Sequence, residues 1–203
     1  LTVITCQNTN NCKLNLAELI RLSIKGNSGA QKQLYESFAG SMLGVCYRYT
    51  KSKEDAEDVL QEGFIKMFHN LDKYDHKGAF GAWLRRIMVN TSINYLKKNA
   101  RYNRDMVFND IELVPVSKLS SDENLESDLN ARQLASLLRQ LPVGYQTIFN
   151  LHAIEGYSHV EIGKLLGITD GTSRTQFFKA RNVLMKWIRE TESATIKMDK
   201  DAG

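Results

Sequence analysis

Three observations predict an all-α protein made of two small helical domains joined by a flexible acidic linker. The 203 residues include only two prolines, Pro115 and Pro142. Proteins usually carry roughly 5% proline, and a chain this poor in it favours long helices with few turns. Apolar residues recur at helical spacing almost everywhere outside one segment. That segment, 105–129, holds seven acids (Asp105, Asp110, Glu112, Asp122, Glu123, Glu126, Asp128) and one base, Lys118, for a net charge of −6; the other 178 residues carry +10. A strip of one sign between basic blocks reads as a solvated connector or a partner surface. With 42% hydrophobic residues, the chain can build a core, which excludes wholesale disorder. No apolar run is long enough to span a membrane. No basic start followed by an apolar stretch marks a signal peptide, so the expected location is cytoplasmic.

The N-terminal residues 1–13 are polar and Asn-rich and are expected to be disordered. They hold Cys6 and Cys12 with no histidine nearby; Cys46 sits among Leu43, Val45 and Tyr47 and reads as core. An odd, sparse cysteine count is no disulfide scaffold and fits a reducing compartment.

The first helix is expected over 14–25, on Leu16, Leu19, Ile20 and Ile24, and Gly26-Asn27-Ser28-Gly29 breaks it. The second runs over 30–51 with Leu34, Phe38, Met42, Val45 and Tyr49. Ser52 followed by Asp55 resembles a capping box at the start of the third. There Ala56, Val59, Leu60, Gly63, Phe64, Met67, Phe68 and Leu71 form one continuous apolar face, with Asp58, Gln61 and Glu62 as an acidic edge beside it. A loop over 72–79 leads to a helix over 80–102. Its inner face is Phe80, Trp83, Leu84, Ile87, Met88, Thr91 and Tyr95. Arg86, Asn90, Asn94, Lys97 and Arg101 line its other side.

Weak alternation over Ile111–Val116 is no strand, because Pro115 interrupts it. Beyond the acidic strip, Leu129, Leu134, Leu137, Leu138 and Leu141 form an amphipathic helix. Pro142 opens another over 143–155, which Gly156 ends. Ser158 with Glu161 caps a short helix to Leu166. Gly167-Ile168-Thr169 turns into a last helix over 170–189, with Phe177, Ala180, Leu184, Trp187 and Ile188 inward. A short helix, a glycine turn and a second helix describe a helix-turn-helix.

Nothing in the sequence points to catalysis, a cofactor or a metal. The four histidines show no metal-ligand spacing. Gly156 to Lys164 ends in Gly-Lys, but six residues separate its glycines and Leu165 follows, so it is no phosphate loop. Asn90-Thr91-Ser92 matches a glycosylation site but lies within a helix. The helix-turn-helix is more informative, because its second helix enters a major groove. Its outward residues are Arg174, Thr175, Phe178, Lys179 and Arg181. Arg174 suits a guanine edge, a pairing that contributes about 1–3 kcal/mol of discrimination. Phe178 suits a thymine methyl, and Lys179 and Arg181 suit phosphates. Tyr74, His76, Lys77 and Phe80 place aromatics among cations beside the polar face of the 80–102 helix. Such a mixture suits single-stranded nucleic acid. Taken alone, each basic face also reads as a solvated surface.

Asp55-Ala56-Glu57-Asp58-Val59-Leu60-Gln61-Glu62-Gly63-Phe64-Ile65-Lys66 resembles the region 2 helix of bacterial RNA polymerase sigma factors. Phe80 to Leu96, with Trp83-Leu84-Arg85-Arg86-Ile87-Met88-Val89-Asn90-Thr91 inside it, resembles the promoter-melting helix that follows. Leu141-Pro142, Glu155-Gly156-Tyr157-Ser158, Glu161-Ile162, Leu166-Gly167-Ile168 and Gly171-Thr172-Ser173 through Ala180-Arg181 resemble region 4. Their spacing is similar to that of the extracytoplasmic-function (ECF) subfamily.

The resemblance implies a non-enzymatic initiation factor. Asp58, Gln61, Glu62 and Phe64 would dock on the clamp helices of the polymerase largest subunit. Tyr74 through Phe80, Lys77 included, would capture a flipped base of the −10 element, and Asn90 would face the melted strand. Arg174, Thr175 and Phe178 would read the −35 element. Region 4 implies contact with the flap of the second-largest subunit, and the family implies an anti-sigma partner. Two departures stand out: Gln146 replaces a frequent arginine. Gly163 replaces the usual alanine, which should weaken its helix by roughly 1 kcal/mol.

The expected domains are 14–102 and 128–190, with a linker over 103–127 and a frayed tail over 191–203. Two other readings remain at this stage. A helix-turn-helix regulator that binds an operator leaves the paired helices of 53–102 unexplained. A helical adaptor makes both basic faces incidental.

Overall fold

The computed structural model describes residues 15–100 and 134–201. The expected polar stretch 1–13, the linker 103–127 and Arg101 lie outside the described residues. Among those described, every regular element is helical. Two compact units divide the chain, 1–94 and 95–203.

In the first unit, short polar side chains start each of the first three helices. Asn15 accepts from Glu18 N at 2.8 Å to open α1 (Leu16–Ile24). Asn27 accepts from Ala30 N at 2.9 Å to open α2 (Ser28–Tyr47), so this helix starts two residues before the expected 30. Ser52 accepts from Asp55 N at 3.0 Å to open α3 (Lys53–His69). Each cap satisfies an N–H that the helix itself leaves unpaired, and its loss costs about 1 kcal/mol. Gly26 makes the sharp break between α1 and α2 at φ 80°, a region open to glycine at little cost.

The stripe read on α3 is the buried one: Ala56, Val59, Leu60, Gly63, Phe64 and Met67. A large apolar side chain buried in this way contributes about 1.5–3 kcal/mol. A 3-10 turn, Leu71–Lys73, carries Leu71 into the same core. α4 (Phe80–Ala100) packs into this unit through its residues up to Asn94. It meets α3 at Gly63, where an added Cβ would collide with the Met88 thioether. It meets α2 through Phe80, which stands edge-on to Phe38 at 5.2 Å. Leu84, Met88 and Ile93 are fully buried along its inner face.

In the second unit, residues 134–140 form α5. Leu137, Leu138 and Leu141 cluster there with Tyr145, Ala180, Val183, Leu184 and Trp187. α6 (Val143–Phe149) follows Pro142. The expected 143–155 helix changes form midway: Asn150–Ile154 is a π turn, closed by Glu155 N to Asn150 O at 2.9 Å. Gly156 ends it at φ 78°. α7 (His159–Leu166) opens with the expected capping box, Ser158 and Glu161 each satisfying the other's backbone, and ends on left-handed Gly167. α8 runs from Asp170 to Asp201, past the expected end at Arg189. No Gly or Pro interrupts the chain from Thr172 to Ala202, and these two residues are the strongest helix stops.

The sequence alone read Gly163 as a weak point. In the fold it is a close approach: a Cβ there would lie 2.8 Å from Ile168 O. Its absence lets the α7–α8 turn pack tightly.

Candidate nucleic-acid interface

In the first unit, loop 74–80 is held by its own side chains. The Tyr74 hydroxyl donates to Gly78 O. Lys77 N donates to Asp75 Oδ1 at 3.2 Å. His76 has φ 58°, a left-handed conformation that costs a non-glycine residue about 1–2 kcal/mol. Its ring packs on Tyr74 at 4.6 Å, a contact that offsets part of this. Tyr74 also lies 5.3 Å from Phe80 and 5.4 Å from Trp83. Tyr74 and Trp83 are half-buried, and His76 and Lys77 are exposed. The loop thus presents a short aromatic wall at the start of α4. Trp83 was read as core from its spacing; its partial exposure beside Tyr74 makes it part of this wall.

Two residues placed among the contacts by resemblance are interior. Phe80 is 2% exposed, wedged under Phe38, Tyr74 and Trp83, so it supports the wall and offers no face. Phe64 is 3% exposed, under Tyr35 at 4.6 Å. The exposed residue next to it is Ile65, at 57%. Asp58, Gln61, Glu62 and Ile65 are spaced 3, 4 and 7 along α3, which puts them on one face. Ile65 was missed because it lies off the buried stripe. An apolar residue at a polar position was the available signal.

Along α4, Arg86, Asn90, Asn94 and Lys97 are all exposed, as expected. Lys66 ties this helix to the acidic edge of α3, with Nζ 2.6 Å from Glu62 Oε1 and 3.4 Å from Thr91 Oγ1.

In the second unit, α8 projects its row from a packed base. Ser173 and Ala180 are fully buried and Gln176 nearly so. Arg174, Thr175, Phe178 and Arg181 are exposed, and Lys179 is half-buried. Phe178 is 60% exposed, unusual for a ring with a core within reach. Thr175 Oγ1 donates to Gly171 O at 3.0 Å. Arg174 pairs with Asp170 at 2.8 Å, and the guanidinium holds that carboxyl below its usual range. The pair is solvent-exposed, so it is screened and weak. The sequence reading named Arg174 but not its acidic neighbour.

Burial pushes the Cys46 thiol up to about 11, which leaves it without nucleophilic thiolate at neutral pH. Among the described residues, no group of three or more His, Cys, Asp or Glu is placed to hold a metal. No described helix is long and apolar enough to cross a membrane.

The Sigma-70 region 2 family model matches residues 34–102, and the Sigma-70, region 4 model matches 131–184. The chain is 31% identical over 173 residues to the ECF RNA polymerase sigma factor SigW of Bacillus subtilis, covering 82% of this chain and 92% of that protein. It is 32% identical over 168 residues to the ECF RNA polymerase sigma-E factor of Haemophilus influenzae, covering 79% and 88%. Among solved structures, the sigma factor RpoE bound to the anti-sigma factor NepR from Bartonella quintana aligns at TM-score 0.48 and 20% identity, over 78% of this chain and 96% of that one.

Proposed function

The chain belongs to the ECF RNA polymerase sigma factors, and from that premise we propose how its residues act in promoter-directed transcription initiation. The observation that carries the proposal is the pairing of two different surfaces with the two matched regions. An aromatic wall beside a basic helix face lies in the region 2 match, and an exposed Arg-Thr-Phe row lies in the region 4 match.

Asp58, Gln61, Glu62 and Ile65 form the face that meets the largest-subunit clamp helices of core polymerase. Region 4 meets the flap of the second-largest subunit. Tyr74, His76 and Trp83 hold a base flipped out of the −10 element, with Phe80 fixing their positions from below. Unstacking a base costs a few kcal/mol, and stacking on aromatic rings returns about 1–3 kcal/mol per base. Lys77, Arg86, Asn90, Asn94, Lys97 and Arg101 follow the melted strand. Arg174, Thr175 and Phe178 read −35 base edges, with Lys179 and Arg181 on phosphates. To reach a guanine, Arg174 leaves Asp170. The protein works by binding rather than by catalysis of its own, in the cytoplasm, and an anti-sigma factor is a further partner.

Run-off transcription with purified core polymerase tests the reading. A transcript from selected promoters is expected, and none would overturn it. Changing Asp58 and Glu62 to alanine should weaken core binding and spare duplex binding.

A further inference from the structure

His152 lies in the π turn and His159 opens α7 seven residues later, with Gly156 and the Ser158 cap between them. The fold stacks their rings at 4.1 Å, 24° from parallel. His152 Nδ1 lies 2.8 Å from Tyr157 O. A carbonyl only accepts, so this nitrogen carries the hydrogen, and a further proton on His152 goes to Nε2. His159 Nδ1 lies 2.9 Å from the Oγ of Ser173, which is fully buried on α8. Phe177, also on α8, stands edge-on to His152 at 4.6 Å and stacks on Phe149 of α6 at 5.7 Å. The two imidazoles therefore link α6, the π turn and α7 to the helix that carries Arg174 and Thr175.

We propose that His152 and His159 are positioning residues for α8, and that protonation of His159 loosens the helix-turn-helix and weakens its grip on duplex DNA. The proposal rests on the reading of α8 as the duplex-contacting helix. A protonated His159 would press its charge against the stacked His152 ring and against the Arg174 guanidinium on α8. The N-terminal N–H groups of α7 also disfavour a cation at His159, its first residue.

The charged groups that act on His159 are His152 from the π turn and Arg174 and Asp170 from α8. Burial holds His159 below the usual histidine range; charge on His152 and Arg174 adds to this, and Asp170 opposes it. The sign follows. A histidine whose proton affinity is lowered by docking stabilises the docked form fully above its ordinary value of 6.5, and that contribution is lost as pH falls below it. Added positive charge by itself would strengthen phosphate attraction, the opposite direction. The pH profile of duplex binding therefore separates the two effects.

The experiment uses the full chain and a duplex enriched by it from a random pool at neutral pH. Between about pH 7.5 and about pH 5.5 at constant salt, affinity should fall. His159→Gln keeps a polar partner for Ser173 and does not titrate, so its affinity should fall less than the parent's over the same range. Proton NMR should place the His159 titration below 6.5, and His152→Phe should raise it. Equal pH profiles for the two proteins, or a His159 that titrates normally, would overturn the proposal. If the pool yields no duplex, the reading of α8 has failed. The pair is then decided by thermal melting: a midpoint that drops on acidification in the parent and not in His159→Gln supports it, and equal drops overturn it.

Discussion

The two regions proposed to face nucleic acid are built in opposite ways. The loop and start of α4 place rings partly inside the core: Phe80 is covered, Tyr74 and Trp83 are half-covered, and only their faces are offered. α8 buries one side completely and projects Arg174, Thr175 and Phe178 into solvent. The first arrangement suits a base that is available only after strands part, because a ring needs another ring to stack on. The second suits a duplex whose edges are already ordered, because long donors must reach into a groove. Rigidity comes from different places too. The wall is held by ring packing across two helices, and the row is held by one long helix on an apolar cluster.

The sharpest way to break the comparison is Phe80→Ala. Removing a buried ring costs about 3–5 kcal/mol. The first unit should melt early, while binding of selected duplex by α8 is retained. Equal loss of both would show that the two surfaces do not act separately. Next comes Arg174→Ala, expected to cost about 1–3 kcal/mol of base discrimination and to flatten sequence preference in a pool selection. An unchanged consensus would remove Arg174 from the reading surface. Gly163→Ala follows. It gains helix propensity of about 1 kcal/mol, but the new methyl meets the Ile168 carbonyl at 2.8 Å. Overpacking against backbone costs about 1–3 kcal/mol, so the second unit should be destabilised in thermal melts; higher stability would mean that the turn gives way easily. The smallest effect is expected from Asp170→Asn, which releases Arg174 and removes a negative charge near phosphate. Duplex affinity should rise by about threefold at low salt and less at high salt.

Much of the fold was legible because its signals are local. The caps at Ser52 and Ser158 follow from side chains three residues away. The α3 stripe follows from helical spacing, and the Gly167 turn from the one residue that takes φ 75° at little cost. The candidate site was legible in part. Arg174, Thr175 and Phe178 were read correctly as an outward row because an amphipathic helix has only two sides. Phe64 and Phe80 were read as interior from their spacing, and it was the resemblance that placed them among the contacts; their burial bears out the spacing.

What the sequence determined by itself was therefore the succession of helices, the caps at Ser52 and Ser158, the charge of the connector and the family of the chain. Each of these is written in the order of residues along the chain. Only the tertiary structure decided which aromatic rings are exposed, that Gly163 sits under a carbonyl, and that His152 lies on His159. Burial and ring stacking depend on neighbours that arrive from another helix, and a left-handed turn at Gly156 erases the periodicity that would have announced the pair.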